Sequence, residues 1–192
     1  MINIEKHKHV IIINGSGGVG KDTVVKYVTE MVYTIKQDWL VYNYSSVDKV
    51  KEIAKEIGWD GTKTERNRKF LSDLKILTTE YNDMPFNAMK EKYSEFANDE
   101  NAALLFLHIR EPIEIEKAKK EFNAITLLVK RDSLPQITSN IADGSVFDYT
   151  YDIVIDNNCT ERKLKFSCYD LAYDLVLNDK FEPYYNCKEQ KV

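Results

Sequence analysis

Cysteine is scarce in this chain. Cys159, Cys168 and Cys187 are the three among 192 residues; they are odd in number and match no zinc spacing, so no metal knuckle is proposed and reduced thiols in a cytoplasmic protein are predicted. Glycine and proline are few as well, 7 and 4 residues, which excludes collagenous or low-complexity character. No apolar run is long. The first, Val10 to Ile13, is too short for a signal-peptide core and far below the roughly 20 residues of a membrane span, so a soluble, untargeted chain without a membrane partner is expected. Charge of one sign is lacking too. Lys and Arg number 27 against 31 Asp and Glu, a formal net charge of -4, which gives no general attraction to a nucleic acid polymer or an anionic surface. Any polyanion must be held by a local site. His7 and His9, flanking Lys8 near the N-terminus, read as solvated rather than as metal ligands.

What is present is a globular composition, 43% hydrophobic, and one length of chain that fits a single domain over 1–192. The run His9 to Ile13 is continuously apolar and β-branched, as in a strand covered on both faces. After a glycine-rich turn the period becomes helical: Val24, Val28, Met31 and Ile35 fall on one stripe. Further strands are predicted at Trp39–Tyr44, Ala102–Ile109, Ala124–Val129 and Tyr151–Ile155. Helices are predicted at Val47–Ile57, over Thr64–Tyr81 with Phe70, Leu74, Leu77 and Tyr81 inward, from Pro85, from Pro112, and after a Thr160 cap. Five strands alternating with helices imply an α/β fold with a parallel sheet covered on both faces. Two helices form an insert at about 58–100, a polar lid-like loop spans about 131–147, and the last dozen residues read as a tail.

The strongest signal is the string Gly15-Ser16-Gly17-Gly18-Val19-Gly20-Lys21-Asp22-Thr23. It has a glycine, four residues and then Gly-Lys, placed between a strand and a helix. Glycines let backbone N–H groups curl around phosphate oxygens, the helix N-terminus adds partial positive charge, and Lys21 supplies a cation for the β- and γ-phosphates. Arg110 ends a buried strand at the edge where doubly wound sheets hold their ligands, suited either to a phosphate or to an ion pair with Glu111 or Glu114. Arg131 ends the next strand and opens the lid-like loop. Arg66, Arg68 and Lys69 begin the insert helix, either as an acceptor-phosphate site or as a solvated face.

Asp22 stands where Ser or Thr is usual, with Thr23 one residue later. The string resembles the nucleoside monophosphate kinases, and Gly-Lys-Asp-Thr resembles in particular the bacteriophage deoxynucleoside monophosphate kinases and animal phosphomevalonate kinases. The resemblance extends over about two-thirds of the chain: Tyr44 with Lys51 after the second strand, Leu104 to Glu114 around the third, then Thr126–Arg131 and Tyr151–Asn157. It implies a three-layer α/β/α P-loop NTPase fold with a helical acceptor-binding insert. One departure is that the aspartate expected two residues before Arg110 is His108, so Asp22 or Glu111 would have to organise Mg²⁺.

The resemblance implies an ATP-dependent kinase that moves the γ-phosphoryl group to a small phosphorylated acceptor, a nucleoside or deoxynucleoside monophosphate. Lys21 and Arg110 are its expected catalytic residues. Gly15 to Thr23 and Arg131 would bind ATP, Lys51, Arg66 and Arg68 the acceptor, and Asp22 and Glu111 the Mg²⁺. A dephospho-coenzyme A or mevalonate-phosphate type of acceptor stays open. So does a regulatory nucleotide-binding NTPase, although no guanine-reading Asn-Lys-x-Asp string is present.

Overall fold

The computed structural model describes residues 6–132 and 145–185. The strands are β1 (His9–Asn14), β2 (Leu40–Ser45), β3 (Ala102–His108), β4 (Ile125–Lys130), β5 (Ile153–Asp156) and β6 (Tyr184–Tyr185). The helices are α1 (Lys21–Ile35), α2 (Asp48–Glu56), α3 (Glu65–Asn82), α4 (Met84–Asn98), α5 (Pro112–Phe122) and α6 (Glu161–Asn178), with a 3₁₀ turn at Ser145–Asp148. Two compact units result. The first comprises Met1–Asn43 and Asp99–Val192, and the second Tyr44–Asn98.

In the first unit the strand order is β2-β3-β1-β4-β5-β6, and β1 pairs in parallel with both β3 and β4, β4 with β5 and β5 with β6. The sheet thus has six strands rather than the expected five. The additional one, Tyr184–Tyr185, lies where a tail was expected; two residues are too few to show a strand period, and pairing to Val154 and Ile155 makes them one. Successive residues of a strand face opposite sides. Ile11 and Ile13 belong to the core shared with α1 and α6, whereas α5 lies against β1 and β4 and buries Ile115, Ala118 and Phe122. Helices therefore cover both faces. Ile11, Ile12, Leu104, Leu105 and Leu127 are completely buried, and each such side chain contributes about 1.5–3 kcal/mol relative to exposure.

The α6 stripe is as predicted, with Leu164, Cys168, Leu171 and Leu175 buried and the Thr160 hydroxyl accepting from Lys163 N–H at 3.4 Å. His9 Nε2 meets the Leu175 carbonyl at 3.1 Å and Asp179 at 3.2 Å, so this histidine is held by the end of α6 rather than solvated. Cys168 is buried and free. Cys187 lies outside the described residues.

The second unit consists of α2, α3 and α4 packed on one another. It takes in α2 as well as the two helices read as the insert. The α3 stripe is half the predicted one: Phe70 and Leu74 are half-buried as expected, but Leu77 and Tyr81 are 62% and 87% exposed, and Leu71, Lys75 and Thr78 turn inward instead. Among the described residues no helix is long and apolar enough to cross a membrane.

Candidate functional site

Because the paired strands are parallel, Asn14, His108, Lys130 and Asp156 bring their carboxyl ends to one edge. β1 is followed by α1 on one sheet face and its neighbour β3 by α5 on the other, which opens a crevice at their carboxyl ends. The glycine loop occupies it. Gly15 has φ +146° and Gly20 +101°, conformations that other residues rarely adopt. A Cβ on Gly15 would come within 3.0 Å of the Val129 carbonyl oxygen, and one on Gly20 would lie 2.6 Å from Asn157 Nδ2. Glycine is required at both ends of the loop for contact as well as for dihedral angle.

Two carboxamides hold the loop. Asn14 Oδ1 accepts from the Gly15 N–H at 2.8 Å, and its Nδ2 donates to the Arg110 carbonyl at 3.2 Å and the Tyr151 hydroxyl at 2.7 Å. Tyr151 in turn donates to the Val146 carbonyl at 2.9 Å; burial pushes its hydroxyl up to about 12, partly offset by Asn14. At the other end Asn157 Nδ2 donates to the Val19 carbonyl at 2.7 Å. Gly15 was expected among the phosphate donors. Its N–H is engaged by Asn14, so its part is to shape the loop.

Lys21 opens α1 and turns back, its ammonium donating to the Gly15 carbonyl and, at 3.0 Å, to the Ser16 carbonyl. Asp22 is exposed on the first turn and Thr23 half-buried. The first α1 bond runs from Val24 N–H to Gly20 O, so the preceding N–H groups have no intrahelical acceptor, and an anion at this end is favoured by them and by the helix dipole. Loop, lysine and helix end together form a cradle rimmed by positive charge and partial positive charge.

Arg110 follows β3 and is exposed, its carbonyl tied to Asn14. Glu111, half-buried, is the residue before α5, where Pro112 takes the first helical position. Arg131 is exposed directly after β4. Beside it Asp132 N–H donates to Asn158 Oδ1 at 2.8 Å and Asn158 Nδ2 to Asp132 Oδ2 at 2.9 Å, tying the ends of β4 and β5. Lys130 lies 3.8 Å from Asp156, and its ammonium is held above the usual lysine range by Tyr184 first and then by the acid. Most of the lid-like loop, 133–144, lies outside the described residues. His108, at the end of β3, meets Asn43 Oδ1 through Nε2 at 2.8 Å.

The expected acceptor residues belong to the second unit. Lys51 bonds Asp48 within α2 at 3.0 Å. Arg66 and Arg68 are exposed on the first turn of α3, which Thr64 caps by accepting from Asn67 N–H at 3.2 Å. Asp22 and Glu111 are the candidate carboxylates for a divalent cation. Among the described residues no three or more acidic, histidine or cysteine side chains gather into a metal cage; Mg²⁺ is commonly held by one or two carboxylates with phosphate oxygens and water, and an exposed Asp22 beside the cradle fits that mode.

Sequence reading missed Asn14, Asn157 and Tyr151. Their signal was slight: two asparagines at or just beyond the ends of apolar runs and a tyrosine just before one, whose partners are set by strand order. A scan of protein-family models and a search of curated proteins find no match for this chain.

Proposed function

We propose that the chain is an ATP-dependent phosphotransferase of the P-loop kinase type, with a three-layer α/β/α fold, acting on a small phosphorylated acceptor, in the first place a nucleoside or deoxynucleoside monophosphate. The observation that carries this reading is the cradle itself: a glycine loop with two obligatory glycines, the Lys21 ammonium over its opening residues, and the N-terminus of α1 behind it. In it Lys21 and the loop N–H groups would hold the β- and γ-phosphates, and Arg110, on the neighbouring strand end, would neutralise charge on the moving group. Asp22 or Glu111 would hold Mg²⁺, which would supply charge neutralisation for the bound phosphates. No carboxylate base is needed, because an acceptor phosphate is already ionised at neutral pH. Arg66, Arg68 and Lys51 are the proposed acceptor residues, and Arg131 a donor-site residue.

One observation favours a second reading. His108 bonds Asn43 where the resemblance expects a metal-organising aspartate, which suits a regulatory NTPase that hydrolyses slowly. A screen of nucleoside monophosphates with ATP and Mg²⁺, coupled to ADP detection, separates the two. ADP formation that depends on one acceptor is expected; phosphate release indifferent to every acceptor would overturn the kinase reading.

A further inference from the structure

We infer that Asn157 is a positioning residue for the phosphate-binding loop, setting the direction of the Gly20 N–H; this rests on the reading of the loop as a phosphate cradle. Asn157 is 7% exposed and follows β5, a strand separated from β1 by β4. Its Nδ2 donates to the Val19 carbonyl at 2.7 Å. A carbonyl can only accept, so the amide nitrogen is the end that faces it. In a trans peptide the C=O and the following N–H lie in one plane and point in opposite directions. Fixing the Val19 carbonyl toward Asn157 therefore fixes the Gly20 N–H away from it.

Three features separate this role from general support of the fold. The main-chain N–H of Asn157 already donates to the Lys130 carbonyl at 2.8 Å, so the strand end stays anchored without the side chain. The close approach of Nδ2 to Gly20 leaves no room for a Cβ there, so the carboxamide is seated against the very peptide it orients. At the opposite end Asn14 Oδ1 takes the Gly15 N–H, so one carboxamide occupies a loop donor while the other aims one. A preorganised donor needs little rearrangement when charge arrives, which makes its orientation worth more than the bond that sets it.

The decisive variants are Asn157→Asp, which keeps the shape but sets an acceptor against the Val19 carbonyl, and Asn157→Ala. The probes are ATP with Mg²⁺ and inorganic tripolyphosphate, titrated by calorimetry, with the melting temperature of the ligand-free protein measured on the same preparations. Both variants are expected to weaken both probes about tenfold or more, which is about 1.4 kcal/mol, with melting changed by only a few degrees. Wild-type affinity in both variants overturns the inference and leaves the cradle standing. Failure of the wild-type chain to bind either probe overturns the cradle reading, and the inference with it. Should Asn157→Asp not fold, Gly20→Ala gives a second test: it should weaken binding more in the wild-type background than beside Asn157→Ala, and equal losses would overturn the inference.

Discussion

The Lys21 ammonium donates to the Ser16 carbonyl at 3.0 Å, closing the glycine loop over its own opening residues. Both ends of that bond lie outside the hydrophobic core, so the lysine serves local charge more than packing. Lys21→Ala is expected to lower acceptor-dependent ADP formation well beyond tenfold, a loss above about 1.4 kcal/mol of transition-state stabilisation. Circular dichroism and the melting temperature should stay close to wild type. A variant that keeps more than about a tenth of the rate would remove the loop from the phosphate site.

Asp22 is exposed on the first turn of α1, next to the cradle. An unshielded carboxylate there would repel phosphate, whereas one that holds a divalent cation through water would help it. Asp22→Asn is therefore expected to shift the Mg²⁺ dependence of ADP formation to higher concentration, with little change at saturating metal. An unchanged titration would transfer the metal role to Glu111, half-buried before α5.

The glycine loop was legible because three signals agree over a short stretch: β-branched residues to Ile13, glycines, then helical spacing from Val24. The stripes of α1, α5 and α6 follow from spacing for the same reason. The α3 stripe held at Phe70 and Leu74 and failed at Leu77 and Tyr81 because hydrophobic residues occur all around that helix; Lys75 is buried while Leu77 is exposed, and a lysine stem can cover apolar surface that a hydrophobic pattern assigns to leucine. The loop's supports were illegible for a different reason. Asn14 and Asn157 are 143 residues apart in number, and only the order β1-β4-β5 brings both to the ends of one loop.

Asp152 anchors the start of β5 to β4 and α5. Its carboxylate accepts from Lys119 Nζ at 2.8 Å, from Thr126 N–H at 2.9 Å and from the Thr126 hydroxyl at 2.8 Å, and the Asp152 N–H donates back to that hydroxyl at 2.9 Å. Burial pushes this carboxyl up, but Lys119 and Thr126 outweigh it and hold it below the usual carboxylate range. A carboxyl depressed in the folded state stabilises above its unfolded value, about 3.9, and loses that contribution as pH falls through the folded value. Asp152→Asn should cost about 1–3 kcal/mol at neutral pH. The gap in melting temperature between variant and wild type should then close below about pH 4. Melting curves that stay parallel throughout acidification would show that Asp152 carries no such charge-dependent support.

Arg110 offers the sharpest division between a chemical and a structural role. Its carbonyl is pinned by Asn14 Nδ2 at 3.2 Å, on the same side chain that accepts from the Gly15 N–H. The backbone that carries the guanidinium is thus fixed to the opening of the cradle, at the end of a buried strand, where transition-state charge needs little reorganisation of the protein. Lysine keeps the charge but lacks the planar fork. Arg110→Lys should therefore lower kcat by on the order of 10- to 1,000-fold while both KM values move less, the pattern of an interaction made chiefly in the transition state. If Arg110 instead ties the end of β3 to the acidic start of α5, the same substitution lowers the melting temperature and leaves kcat per folded molecule near wild type. Measuring both quantities on one preparation decides between them, because the main-chain bond to Asn14 is untouched by the substitution and any change must come from the side chain.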